Sequence, residues 1–223
     1  MKYLPISIFL ISLLFFTTQL KGQEFFEGTL TFEVKLKGPM AEMLNKNEPN
    51  SKMTMHVRDA DYIILLSGGR YPKTFFFVAD SNVEYSVDMS KREAYKFSMH
   101  GDQARASHKS EKRKPVEATP TGNQVEVQGI LCDEYKMRKD NSLFTFYVSD
   151  DYRVNLDLYP KIPRTKASFL IKGLDGRIPL KTVKRQKDLQ VVTTAVKITP
   201  QDFDPQQFQL PPGFKVKGRD YRW

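Results

Sequence analysis

Thr29-Leu30-Thr31-Phe32-Glu33-Val34-Lys35-Leu36 alternates polar and apolar residues without a break. A period of two puts Leu30, Phe32, Val34 and Leu36 on one face of an extended chain and leaves the other face to water. The same alternation predicts strands at Met53/Met55/Val57, Val83/Tyr85/Val87/Met89, Tyr95/Phe97, Phe144/Phe146/Val148, Val154/Leu156/Leu158 and Val192/Thr194/Val196/Ile198. Turn residues separate most of them: Gly68-Gly69, Asp80-Ser81-Asn82, Asp140-Asn141, Ser149-Asp150-Asp151 and Asp175-Gly176. About a dozen strands at this spacing imply a mainly β domain, built as a large antiparallel sheet, a sandwich or a barrel.

Two segments break the alternation. Tyr62-Ile63-Ile64-Leu65-Leu66 and Phe75-Phe76-Phe77-Val78 are apolar throughout, so both faces of those strands need cover from a second sheet, a helix or a bound apolar molecule. The helix candidate follows the first strand: Gly38-Pro39 opens a segment with Met40, Met43 and Leu44 at helical spacing before Pro49. It reads either as a plug on the open end of the core or as a movable, methionine-bearing lid.

Met1-Lys2-Tyr3 and the thirteen-residue apolar run Leu4–Phe16 read as a signal peptide over residues 1–22, with cleavage expected between Gly22 and Gln23. Even extended through Leu20, the run falls short of the ~20 residues of a spanning helix. No second apolar stretch of that length follows, and no cysteine stands at the cut to carry a lipid. The expected location is the periplasm or the exterior, as a soluble protein rather than a lipoprotein. Residues 23–223 fit a single antiparallel β domain with a basic loop at 99–115. Removing Lys2 and Lys21 lowers the formal charge from +9 to +7, and the 40% hydrophobic content excludes a disordered polyelectrolyte.

Catalytic chemistry has no purchase in the residue patterns. The histidines, His56, His100 and His108, are widely spaced, with no HExxH and no CxxC, so no metal is expected. No nucleophile elbow, P-loop or dinucleotide fingerprint is present, and no cofactor is expected. Asp150-Asp151 would point to opposite faces of a strand, which favours a turn over a carboxylate pair. Cys132, the single cysteine, is expected to be buried and unpaired. Basic clusters at Arg105–Lys114, Lys181/Lys184/Arg185/Lys187 and Lys215/Lys217/Arg219/Arg222 fit solubility first and anionic envelope surfaces second. Nucleic acid is not an expected partner.

Four motifs then follow one another: Gly129-x-x-Cys132-x-x-Tyr135, Tyr147-Val148-Ser149-Asp150-Asp151, Gly173-Leu174-Asp175-Gly176-x-x-Pro179-Leu180 and Phe208-x-Leu210-Pro211-x-Gly213-Phe214. Their order resembles that in small exported Bacteroidota proteins of the domain-of-unknown-function 4412 group. That group is similar in architecture to the outer-membrane lipoprotein carrier (LolA-like) fold. The resemblance covers 129–214 and implies an incomplete barrel with one or two short helices, whose concave apolar face holds acyl chains, and it supplies no catalytic residue. The expected function is non-catalytic binding of a lipid or other apolar ligand. Met40, Met43, Leu44, Phe75, Phe77, Tyr95, Phe97, Phe144 and Phe146 are the candidate apolar lining, against the reading that large aromatics on strands simply form the core. The alternative is an envelope interaction or sensor module with a solid core, contacting a protein partner or anionic surface through its basic loop and tail.

Overall fold

The computed structural model describes residues 25–45, 51–59, 61–68, 73–78, 81, 83–98, 117–158 and 171–218. Residues 1–22, expected to be a signal peptide, the basic stretch expected as a loop with His100 and His108, and Arg219 and Arg222 lie outside these residues.

Twelve strands form one sheet among the described residues. They are β1 (Gly28–Lys37), β2 (Ser51–Arg58), β3 (Asp61–Ser67), β4 (Lys73–Val78), β5 (Val83–Asp88), β6 (Glu93–Ser98), β7 (Thr119–Val127), β8 (Ile130–Lys139), β9 (Ser142–Arg153), β10 (Arg177–Gln186), β11 (Leu189–Pro200) and β12 (Lys215–Gly218). Their order is β12-β6-β5-β4-β3-β2-β1-β11-β10-β9-β8-β7: two meanders joined where β1 pairs with β11. Every ladder is antiparallel except that of β12, which lies parallel to β6. The ends β12 and β7 are not joined, so the barrel is incomplete. The one described α-helix, α1 (Pro39–Asn45), links β1 to β2.

The sheet is curved because its core requires it. Phe75 and Phe77 of β4 belong to the same packed cluster as Cys132 of β8, seven places away in the strand order, which is roughly 34 Å in a flat sheet. Register shifts supply the bend, one on β11 opposite Thr31/Phe32 and one on β10 around Pro179–Lys181. The β10–β11 ladder ends at Lys181/Thr194, beside both irregularities.

Opposed residues of an antiparallel ladder share a face, so the continuous registers of β1 to β5 sort the side chains. Leu30, Phe32, Met55, Val57, Tyr62, Ile64, Phe75 and Phe77 point into the main core. His56, Ile63, Phe76, Tyr85 and Val87 stand on the other face. The unbroken apolar runs are therefore covered twice, as expected, and the second cover is the C-terminal segment. Residues 201–214 cross the outer face as a strap, placing Phe203, Phe208, Leu210 and Phe214 against β3 to β6 before β12 joins the edge.

One stretch of the chain departs from the sequence reading. Ser149-Asp150-Asp151 is not a turn but part of β9, and Val154/Leu156/Leu158 is not a strand. Leu156–Leu158 instead forms a 3-10 turn. The stretch stays extended because β9 goes on to pair with β10 at Arg153/Arg177; cations meet its acids, with Asp150 Oδ1 2.7 Å from Arg153 Nη2 and 3.7 Å from Arg177 Nη1, and the Asp151 amide donates to Ser149 Oγ.

Candidate functional site

A cleft of about 220 Å³ opens between the outer face of β2 to β4 and the strap. Its floor is His56, Ile63, Leu65 and Phe76, and its wall is Phe203, Gln207, Phe208 and Pro211. The strap holds this position through named contacts. The Phe203 amide donates to Glu27 Oε1 at 3.0 Å, and the Gln201 amide to the Glu27 carbonyl at 3.3 Å. Asp204 caps the 3-10 turn Pro205–Phe208 by accepting from the Gln206 amide at 2.9 Å. That turn drives Phe208 into the outer cluster, where it is 1% exposed and meets the Phe203 ring edge-to-face at 5.3 Å. Beyond it the Lys215 amide donates to the Arg92 carbonyl, and Lys217 pairs with Glu93.

His56 is a polar group on an otherwise largely apolar floor. Its Nδ1 and the Thr29 hydroxyl are hydrogen-bonded at 2.8 Å, and its ring meets Phe203 edge-to-face at 5.5 Å. Burial holds its pKa below the usual 6.5, so it is neutral at pH 7. The arrangement can accept an apolar group and offer it one neutral hydrogen-bonding ring. Among the described residues no group of three or more His, Cys, Asp or Glu could hold a metal.

The side chains expected from sequence as lining are not gathered in this cleft. Phe75 and Phe77 are sealed in the main core, the latter stacked on Tyr62 with ring centroids 5.0 Å apart. Phe146 is buried in a separate cluster with Tyr135, Met137 and Leu174, and half-buried Phe144 stacks beside it at 6.0 Å. Tyr95 is half-buried on β6, between β5 and β12, where its hydroxyl donates to Glu93. Met40 and Met43 are exposed and Leu44 half-buried on α1. The Phe97 side chain lies outside the described residues. The sequence did carry signals for the cleft: the unbroken runs 62–66 and 75–78, and the motif Phe208-x-Leu210-Pro211. What it lacked was the information that the last covers the first two.

The middle motifs meet at one side chain, Arg177. It is buried, and its Nε donates to the Leu174 carbonyl at 2.9 Å. Its Nη2 donates to the Tyr135 hydroxyl at 2.8 Å, and its guanidinium lies 4.7 Å from the Tyr135 ring centroid. Asp175 and Asp150 flank it. Gly173 and Gly176 are required by close approach: a Cβ would stand 2.1 Å from the Ala118 carbonyl oxygen and 2.6 Å from that of Val154. These motifs thus assemble a structural joint. Cys132, in the neighbouring main core, is fully buried and unpaired, with burial first and then Asp133 and Asp151 pushing its thiol up to about 11.

No family model matches the sequence, and no curated protein does. Solved structures with a similar course of the backbone include an uncharacterized conserved protein from Thermus thermophilus, at TM-score 0.49 and 10% identity over 85% of this chain and 90% of that one. PNGF-II is similar at TM-score 0.48 and 15% identity over 87% of this chain, which spans about a third (32%) of PNGF-II. Lipoprotein LppX of Mycobacterium tuberculosis is similar at TM-score 0.35 and 8% identity over 80% of this chain and 90% of that one. Likeness at this level carries no residue, ligand or activity across. Among the described residues no helix is long and apolar enough to cross a membrane.

Proposed function

We propose that this is an exported, non-catalytic binding protein that takes the apolar part of a lipid or other apolar ligand into the cleft between β2–β4 and the strap. The observation that carries this reading is the cleft itself: an open, largely apolar space of about 220 Å³ with one neutral histidine on its floor. Ligand pockets combine these features, although drug-sized ones start at roughly 300 Å³. The cleft accordingly suits one end of an acyl chain or a single ring, not a whole lipid. The lining expected in the half-barrel would serve only if the core opened, since Phe75 and Phe77 are sealed there. Export from residue 23 and membership of the domain-of-unknown-function 4412 group belong to the same proposal, resting on the apolar run and the ordered motifs of 129–214.

Titration with a fluorescent fatty acid tests it. Leu65→Trp, at a half-buried lining position, should fill the cleft and weaken binding about tenfold, or ~1.4 kcal/mol, with little change in Tm. A chain that binds no acyl or aryl probe at micromolar concentration, about −8 kcal/mol, sinks the reading. A second reading, the interaction module with a solid core, is favoured by one observation: Tyr62, Phe77, Leu180 and Ile178 have no exposure at all. It is the reading that survives such a failure.

A further inference from the structure

The ladders of β8, β9, β10, β11 and β1 align residues in rows at the end of the sheet nearest α1. One row runs Arg138, Leu143, Arg185, Gln190, Lys37, and the next on the same face runs Lys136, Thr145, Val183, Val192, Lys35. A third adds Glu134, Tyr147, Lys181, Thr194 and Glu33. The face therefore carries six cations and two carboxylates. Both carboxylates are spent on their own strands: Glu33 pairs with Lys35 at 2.8 Å and Glu134 with Lys136 at 3.0 Å. Among the described residues no carboxylate pairs with Lys37, Arg138 or Arg185, and all three are exposed. At the two hairpin ends beside them Lys139 and Lys187 are offset by the adjoining Asp140 and Asp188, and α1 carries Glu42, so the cationic character rests on the three residues of the row.

An apolar feature adjoins this field. Helix α1 begins two residues after Lys37 and rests on the β10–β11 turn, the Met40 amide 3.4 Å from the Asp188 carbonyl oxygen. Ala41 is buried and Leu44 half-buried, one turn apart, so they form the inner side. Met40 and Met43, also one turn apart, are 41% and 59% exposed. The helix thus carries two exposed, flexible apolar side chains beside Lys37, the first of the three cations with which no described carboxylate pairs.

We propose that this end of the sheet docks on an anionic lipid bilayer, with Lys37, Arg138 and Arg185 meeting headgroup phosphates and Met40 and Met43 entering the interfacial apolar layer. Charge complementarity selects an anionic partner, since each Lys or Arg near such a surface contributes attraction that decays within a Debye length. The methionines select the bilayer: against a soluble polyanion they would stay in water, whereas a membrane interface takes cations and apolar side chains together. The inference is independent of the cleft, which is lined by other residues.

Co-sedimentation of the exported chain with phosphatidylglycerol/phosphatidylcholine vesicles tests it, with pure phosphatidylcholine vesicles and dextran sulfate as comparison arms. Binding should require phosphatidylglycerol and fall steeply at high salt. The triple variant Lys37→Glu, Arg138→Glu, Arg185→Glu should bind at least about a hundredfold more weakly. Met40→Ser with Met43→Ser should lose several-fold on vesicles and nothing on dextran sulfate. All five residues are exposed, so unchanged melting confirms that the variants fold. Triple-variant binding equal to the wild type overturns the proposal and assigns any attraction to other cations. A methionine pair without effect on vesicles also overturns it, in favour of a soluble polyanion. Fatty-acid titration of the same variants should be unaltered, which separates failure here from failure of the cleft.

Discussion

Phe208→Ala removes the side chain that fastens the strap. Phe208 is 1% exposed and packs with Ile63, Phe76, Val87 and Ala94, with Phe203 edge-on to it. Truncating a buried Phe costs about 3–5 kcal/mol, of which the lost aromatic pair is ~1. The strap is a peripheral segment on the outer face, so the loss should appear first as local release rather than global unfolding. A deficit of about 3 kcal/mol raises the open population of the strap and β12 by roughly 150-fold. Amide exchange over Lys215–Gly218 should therefore quicken by about that factor, while exchange in β1 and β2 moves far less. Fatty-acid binding should disappear together with the Phe208 wall of the cleft. Unchanged exchange at Lys215–Gly218 beside a uniform rise across β1 to β4 would refute the reasoning, because it would make Phe208 an integral part of the main fold.

Other outcomes follow from single groups. Burial keeps the Cys132 thiol protonated to about 11, so the unfolded chain loses that proton first, near the usual 9.0. Stability should then fall between pH 9 and 11 by a total on the order of 2 kcal/mol, measured by urea unfolding, and Cys132→Ser should remove the slope. The folded thiol should also resist labelling at about pH 8. The pKa of His56 is lowered by burial, so the unfolded chain gains its proton first on acidification. Stability should be full above pH 6.5 and decline below it, and His56→Gln should flatten that decline. Arg177→Met leaves the buried Tyr135 hydroxyl without its donor, while the Leu174 carbonyl keeps the Arg177 amide, and should cost about 1–3 kcal/mol in urea unfolding. Arg177→Lys should recover little of it, because an ammonium lacks the fork that spans Leu174 and Tyr135.

Much of the architecture was written in local pattern. Alternation at 29–36 sets a strand with one buried face, because successive side chains of an extended chain point to opposite sides whatever surrounds them. The runs 62–66 and 75–78 required cover on both faces for the same reason, and Cys132 is buried as its residue type favours. Pro39 opens the short helix where expected.

Tertiary structure decided what lies opposite what. Asp150 reads as a turn residue in isolation, and it is the pairing of Arg153 with Arg177 on β10 that carries β9 past it. Phe208 and Ile63 are far apart in the chain, so no local periodicity records that they enclose a cleft, and His56 shares that cleft only because β2 turns it to the outer face. The rows that gather Lys37, Arg138 and Arg185 exist only through the registers of five strands, four of them drawn from the second meander and one from the first. Sequence specifies which side chains must leave water, since that depends on each residue and its near neighbours. Long-range pairing chooses their company, since it is the closure of the whole chain that sets which faces meet.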